Sequence, residues 1–302
     1  MIKIIADSTC DLSAEMIERY DIGIASLTIN IEGKQYRDKV DIHPDTLYGM
    51  IEEVDQISTA MPSPAEYIDA IKEAVAKGFD EILCICMSSG TSGAYQSAEI
   101  ARQYYYEESP SSSAKIHVVD SRCMSHGSGW LVLKSAAMRE MGDSFEEIVE
   151  FNEKHKTRVK HFLSVDDLDH LIRSGRLTNA SAFIGKILRI KPIMSMKNGK
   201  GAIVAKERGR KQVLRHYLNE FKRRNDESVT DFIIIGYTSD EKYAQNLKKL
   251  IEDETGFSGE IYIMQMGVAV GIHVGLGAVS MFFVEKDVES HGILHRILPK
   301  IN

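Results

Sequence analysis

The chain has 302 residues, more than one hydrophobic core usually organises, so two domains with a cleft between them are expected. A net charge of −7 argues against bulk nucleic-acid binding, and apolar stretches of no more than strand length leave no transmembrane segment. Cys10, Cys84, Cys86 and Cys123 sit in apolar or turn contexts without metal-ligand spacing or a secretory leader, which predicts reduced thiols, no metal and a cytoplasmic location.

The N-terminal half alternates short apolar runs with amphipathic helices. Strands are predicted at 2–6, 24–31, 82–87 and 115–119, and helices at 14–20, 44–53, 64–77, 94–106 and 129–140. Such a β–α rhythm predicts a parallel sheet covered on both faces, with ligands beyond the carboxyl ends of its strands. Polar turns are placed at those ends: Asp7 to Asp11, Thr59 to Pro64, Ser88 to Gly93, and Asp120 to Arg122. The third is the most informative. The run Ile82 to Met87 stops at Ser88-Ser89-Gly90-Thr91-Ser92-Gly93 and passes into a helix, an arrangement that offers unpaired N–H groups and a positive dipole end to a phosphate or a carboxylate.

The charged stretch at 154–158 marks a change, and the domains are placed at 1–158 and 159–302. Downstream, strands are expected at 161–165, 193–196, 202–205, 232–237, 260–264 and 278–284, and helices at 168–174, 181–189, 212–224 and 241–254. Asn198-Gly199 between two strand-like runs signals a hairpin, so this second sheet contains antiparallel pairs. Residues 171–224 carry fifteen Lys/Arg against Glu207 and Glu220, a local excess that fits either an acidic partner or a solvated surface.

Taken in order, Asp7-Ser8-Thr9-Cys10-Asp11-Leu12, Thr59 with Pro62-Ser63-Pro64, Ser88 through Ser97, Asp120-Ser121, Leu171 to Leu177, Lys191-Pro192-Ile193, Arg208 and Gly271 to Gly277 resemble the pattern of DegV-family proteins over nearly the whole chain. The resemblance implies an N-terminal three-layer α/β/α domain with a parallel sheet and a C-terminal two-layer α/β domain with a mixed sheet. It further implies a fatty-acid-binding protein like those called FakB, which present the acyl carboxylate to a separate ATP-dependent fatty acid kinase. On that basis Thr59, Ser92 and the Gly93 amide bind the carboxylate with His273 beside them, Arg176 and Arg208 face the kinase and its nucleotide, and ATP and Mg belong to the partner. The protein itself then has no catalytic residue and no cofactor. It is expected to be a monomer with at most transient membrane contact, and its partners are a long-chain fatty acid and the kinase subunit. Departures are Thr91-Ser92-Gly93-Ala94 for Leu-Ser-Gly-Thr, His273-Val274-Gly275-Leu276-Gly277 for His-Thr-Gly-Pro-Gly, and Ser174-Gly175-Arg176 for Gly-Gly-Arg.

A buried carboxylate is costly unless several donors satisfy it, and hydroxyls with helix N-terminal amides do so without a fixed ion pair. The apolar slot for the chain is assigned to Phe183, Ile184, Ile187 and Leu188 of the helix at 180–190 and to Met194, Met196, Met264 and Met266; ordinary core packing is the plainer reading of each. Likewise Ser92 could simply cap a helix, and His273 is placed in a glycine-flanked loop between strands. A competing reading takes Gly90-Thr91-Ser92-Gly93-Ala94 as the nucleophile turn of a serine hydrolase, with His273 as base and Asp240 or Asp253 as the acid.

Overall fold

A computed structural model describes residues 1–178 and 190–287. The expected helix at 181–189, with Phe183, Ile184, Ile187 and Leu188, lies outside the described residues. In chain order the strands are β1 (Ile2–Asp7), β2 (Ile22–Ala25), β3 (Thr28–Ile31), β4 (Lys34–Arg37), β5 (Ile57–Ala60), β6 (Glu81–Cys86), β7 (Lys115–Asp120), β8 (Val159–Ser164), β9 (Ile190–Lys197), β10 (Lys200–Arg208), β11 (Phe232–Tyr237), β12 (Glu260–Gln265) and β13 (Val279–Val284). The helices are α1 (Ala14–Arg19), α2 (Pro44–Met50), α3 (Pro64–Ala76), α4 (Ala94–Glu108), α5 (His126–Met141), α6 (Phe145–His155), α7 (Asp169–Ser174), α8 (Arg210–Arg224), α9 (Glu241–Thr255) and α10 (Val268–Val274).

The near-continuous apolar runs of β1 and β6 pair in parallel at the centre of a sheet ordered β2-β1-β6-β7, as strands buried on both faces must. Helices α3 and α4 cover one face and α5 the other. The second sheet runs β10-β9-β8-β13-β11-β12, with only β11 and β12 parallel; α8 and α9 pack on its outer face. The N-terminal parallel sheet and the C-terminal mixed sheet therefore stand as the sequence implied. Asn198 and Gly199 turn the β9–β10 hairpin, both with positive φ (52° and 74°) as a two-residue turn of this hand requires.

α5 is apolar nearly all round, and the reason is its position. One side meets Ile4 and Leu83 of the parallel sheet, the other Phe232, Ile234 and Phe282 of the mixed sheet. Gly127 and Gly129 in its first turns leave no room for a side chain, since one would strike His161 and the other the Cys10 carbonyl.

Three expectations are corrected. The segment 24–31 is two strands, because at Ser26-Leu27 the chain leaves the parallel sheet for a small antiparallel one ordered β4-β3-β5. There Glu66 Oε2 and Ser8 Oγ accept the two backbone N–H groups, so the break costs no hydrogen bond. The turn after Thr59 accordingly follows β5 of this small sheet and not a strand of the parallel one. His273 stands in the last turn of α10, not in a loop: Gly271 is there because a Cβ would collide with the Tyr48 hydroxyl, and Gly275, at φ 78°, is where the helix ends. α6, absent from the expected elements, starts with a full capping box formed by Ser144 and Glu147.

Candidate functional site

The loop between β6 and α4 is held from within and from below. Ser88 O accepts from the N–H groups of Thr91 and Ser92, while the Asp120 carboxylate at the end of β7 accepts from Ser89 N (3.0 Å) and Ser89 Oγ (2.5 Å). Ser92 Oγ accepts from Ala94 N at 3.2 Å, but Ser92 stands one residue before the N-cap, Gly93, and α4 has no side-chain cap; its own hydrogen remains available to a ligand. Gly93 precedes α4 without a side chain, and the N–H groups of Gly93, Tyr95 and Gln96 have no acceptor among the described residues. Strand, turn and helix start stand as the sequence implied, and these amides make a candidate seat for an anion.

Opposite this seat, β5 and α10 bring Thr59 and His273 together, with Thr59 Oγ1 2.9 Å from His273 Nε2. Burial lowers the His273 pKa to about 4, with the nearby Arg176 guanidinium adding to the effect, so the imidazole is neutral at pH 7. Behind these groups opens a cavity of about 730 Å³, lined by Thr59, Ser92, Gly93, Arg176, Met194 and His273 among others. Its walls are mainly apolar: Leu163, Leu171, Leu177 and Phe282, together with the methionines Met61, Met87, Met124, Met194, Met196 and Met266. His161 on the wall is fixed as a neutral ring, its Nδ1–H donating to Val159 O (2.8 Å) and its Nε2 accepting from Met124 N (3.2 Å); burial lowers its pKa to about 3.

Arg176 is exposed yet borders the cavity, its guanidinium turned back on Ser174 O. Two proposed residues lie elsewhere. Met264 packs into the core with Trp130 and Phe232 and does not line the cavity, because alternation on β12 turns it to the α5 side; Arg208 is exposed at the end of β10, outside the cavity wall. Met61 and Met124 were missed because each lies in a turn, where periodicity assigns no face, and Met87 because it closes an apolar run expected to be buried as a strand.

The hydrolase reading finds no acid. Asp240 caps α9 and pairs with Arg210 at 2.6 Å, Asp253 lies on α9, and no carboxylate bonds His273 among the described residues. No group of three His, Cys, Asp or Glu residues placed to hold a metal occurs among the described residues. All four cysteines are buried free thiols, and burial pushes Cys10 and Cys84 up to about 12. No helix among the described residues is long and apolar enough to cross a membrane.

A family model described as "Uncharacterised protein, DegV family" matches residues 1–286. A DegV domain-containing protein of Caldanaerobacter subterraneus subsp. tengcongensis is 34% identical over 285 residues, covering 94% of this chain and 99% of its own. Among solved structures, a DegV family protein from Thermus thermophilus, described by its fatty acid binding, is similar at TM-score 0.84 and 28% identity, covering 94% of this chain and 99% of that one. The Streptococcus pneumoniae fatty acid kinase B3 protein, loaded with linoleic acid, shares the fold at TM-score 0.80 and 23% identity over 95% of this chain and 100% of that one. With a family model spanning nearly its whole length and relatives matching end to end, the chain belongs to the DegV family.

Proposed function

We propose that this protein binds a long-chain fatty acid, with the hydrocarbon in the methionine-rich cavity and the carboxylate at its mouth. The observation that carries the reading is the convergence of Thr59 with His273, 214 residues apart, facing the acceptor-free amides at the start of α4 over a greasy cavity. The volume of about 730 Å³ lies within the range of about 300–1,000 Å³ usual for small-molecule sites. Unbranched thioethers adapt to chains of differing bend and length. The head group is held by neutral donors: Thr59 and Ser92 hydroxyls, the Gly93 amide and the uncharged His273. Without an ammonium clamp the carboxylate oxygens stay nucleophilic, which suits a cargo destined for phosphorylation.

In the fuller reading the loaded protein docks on a separate kinase that supplies ATP and Mg, with Arg176 and Arg208 meeting the partner or its nucleotide phosphates, and turnover belongs to that partner. Mass spectrometry of lipid extracted from the purified protein tests the binding reading. A near-stoichiometric long-chain fatty acid is expected; an empty protein that also fails to take up labelled oleate overturns it. Kinase-coupled acyl-phosphate formation that is unchanged in Arg208→Ala would remove that residue from the docking role.

A further inference from the structure

A second cavity, of about 450 Å³, lies behind the fatty-acid cavity and shares Ser195 and Met196 with it as wall. Three cations line it, Arg122, Lys156 and Lys160, with Thr157 and Asn198; Lys156 also pairs with Glu153 outside the lining, and Glu285 is the one carboxylate among the described lining residues. That carboxylate is already engaged. Its Oε2 accepts from Arg224 Nη1 at 2.8 Å, and Lys160 Nζ stands 3.8 Å from the same oxygen. The Lys160 ammonium is largely buried and donates to no acceptor among the described residues. Burial lowers its pKa, as expected of a cation short of countercharge.

Arg122 joins this cavity to the head-group loop. It adopts a left-handed backbone, φ 57°, uncommon for a residue with a long side chain, and its Nε lies 3.1 Å from Asp120 Oδ2. Asp120 is the carboxylate that holds Ser89 by both N and Oγ. The hairpin tip closes the same corner: Ser88 Oγ donates to Gly199 O at 2.6 Å, and Gly199 packs on the Arg122 guanidinium.

We infer that this second cavity is a binding site for a soluble phosphate monoester, held by Lys160, Lys156 and Arg122, and that its occupancy acts on the Ser88–Gly93 loop through Arg122 and Asp120. A guanidinium fork and two ammoniums match a dianionic phosphate, and the space beyond them admits a small organic group. An anion there competes with Asp120 for Arg122, which alters the hold of Asp120 on Ser89. The binding claim stands independently of the fatty-acid reading; the coupling claim rests on it.

Calorimetric titration of the full-length protein with inorganic phosphate and with ribose 5-phosphate, at ionic strength fixed with chloride, tests the site. Saturable one-site binding with Kd of about 1 mM or tighter is expected. Lys160→Met and Arg122→Gln should each weaken it about tenfold or more, and Lys197→Gln, outside the cavity, should leave it unchanged. Should Lys160→Met fail to fold, Lys156→Gln at the rim serves instead. No saturable heat, or equal binding by the cavity variants, overturns the site; phosphate that binds with ribose 5-phosphate excluded restricts it to the free ion and overturns the monoester assignment. For the coupling, phosphate should change the release rate of a fluorescent fatty acid about threefold in the wild type and not in Arg122→Gln, and an unchanged rate overturns it. A protein that takes up phosphate but no fatty acid would refute the proposed function while leaving the site intact.

Discussion

In the proposed head-group site, Thr59, Ser92 and His273 act through single hydrogen bonds, each worth about 1 kcal/mol net and more where a buried partner is stranded. Thr59→Val removes the hydroxyl and leaves His273 Nε2 without its partner, and Ser92→Ala removes a donor together with the side-chain acceptor of Ala94 N. Each should weaken retention of a fluorescent fatty acid about five- to tenfold in a displacement assay, with unchanged far-ultraviolet circular dichroism; equal affinity would place the carboxylate elsewhere. The Ser92–Gly93 seat was legible because strand, small-residue turn and helix start are contiguous in the chain. Thr59 and His273 were not legible as a pair from spacing, since their meeting depends on β5 joining a sheet with β3 and on α10 crossing it. The methionines of the wall were only partly legible. Sequence gives their adaptable chemistry, but only the strand register separates Met194, which faces the cavity, from Met264, which faces the core.

At the scale of elements, α10 carries His273 into the site and is itself positioned by contact with α2. Tyr48 of α2 donates to Met266 O at 2.9 Å, and Gly271 lets its ring approach the α10 backbone. Gly271→Ala should therefore displace Tyr48 and cost about 1–3 kcal/mol, read as a lower urea midpoint, together with weaker fatty-acid retention as α10 shifts. Retention that survives the loss of stability would show that His273 tolerates movement. Glycine at 271 and 275 looks like a loop in the sequence because close helix contact and helix termination leave the same mark as a turn. The β9–β10 hairpin was easier, since Asn-Gly encodes its own turn, and what it touches was not: Ser88→Ala should release the tip from the loop and speed fatty-acid exchange in stopped-flow measurements. An unchanged exchange rate would make that hydrogen bond a bystander.

For the molecule as a whole, the basic excess of residues 171–224 is partly met in space. Lys191 and Arg210 pair with Asp166, Arg215 and Lys222 with Glu254, and Arg224 with Glu285, so five of the fifteen cations are met by acids from outside the segment. A sum along the chain could not show this. Titration at this scale has a definite sign. His126 and His161, lowered by burial to about 3, and His273, lowered to about 4, bind protons in the unfolded chain before the folded one, so stability falls as pH drops below about 6.5. Asp11 opposes this: buried between Ser125 Oγ and Gly267 N, its pKa is raised to about 7, so its contribution falls as pH rises from about 4 towards 7. The net expectation, four imidazoles with His155 also lowered to about 4, against the raised carboxyls of Asp7, Asp11 and Asp38, is a lower urea midpoint at pH 5 than at pH 7.5, followed through Trp130, the sole tryptophan, and a smaller midpoint at neutral pH than in Asp11→Asn. A midpoint that does not move between those pH values would mean that these rings are not held neutral in the fold.

In the proposed fatty-acid reading, the position of α5 also decides how cargo comes and goes. Trp130, Leu131, Val132 and Leu133 are at most 4% exposed because sheets press on them from opposite sides. Parting those sheets like a clamshell would wet all four at roughly 1.5–3 kcal/mol each, a sum on the order of the whole stability of a domain. A hinge along the central wall is thus closed to this architecture, and a portal for an oily passenger has to be cut in the perimeter, where strand ends and a hairpin tip yield at far lower cost.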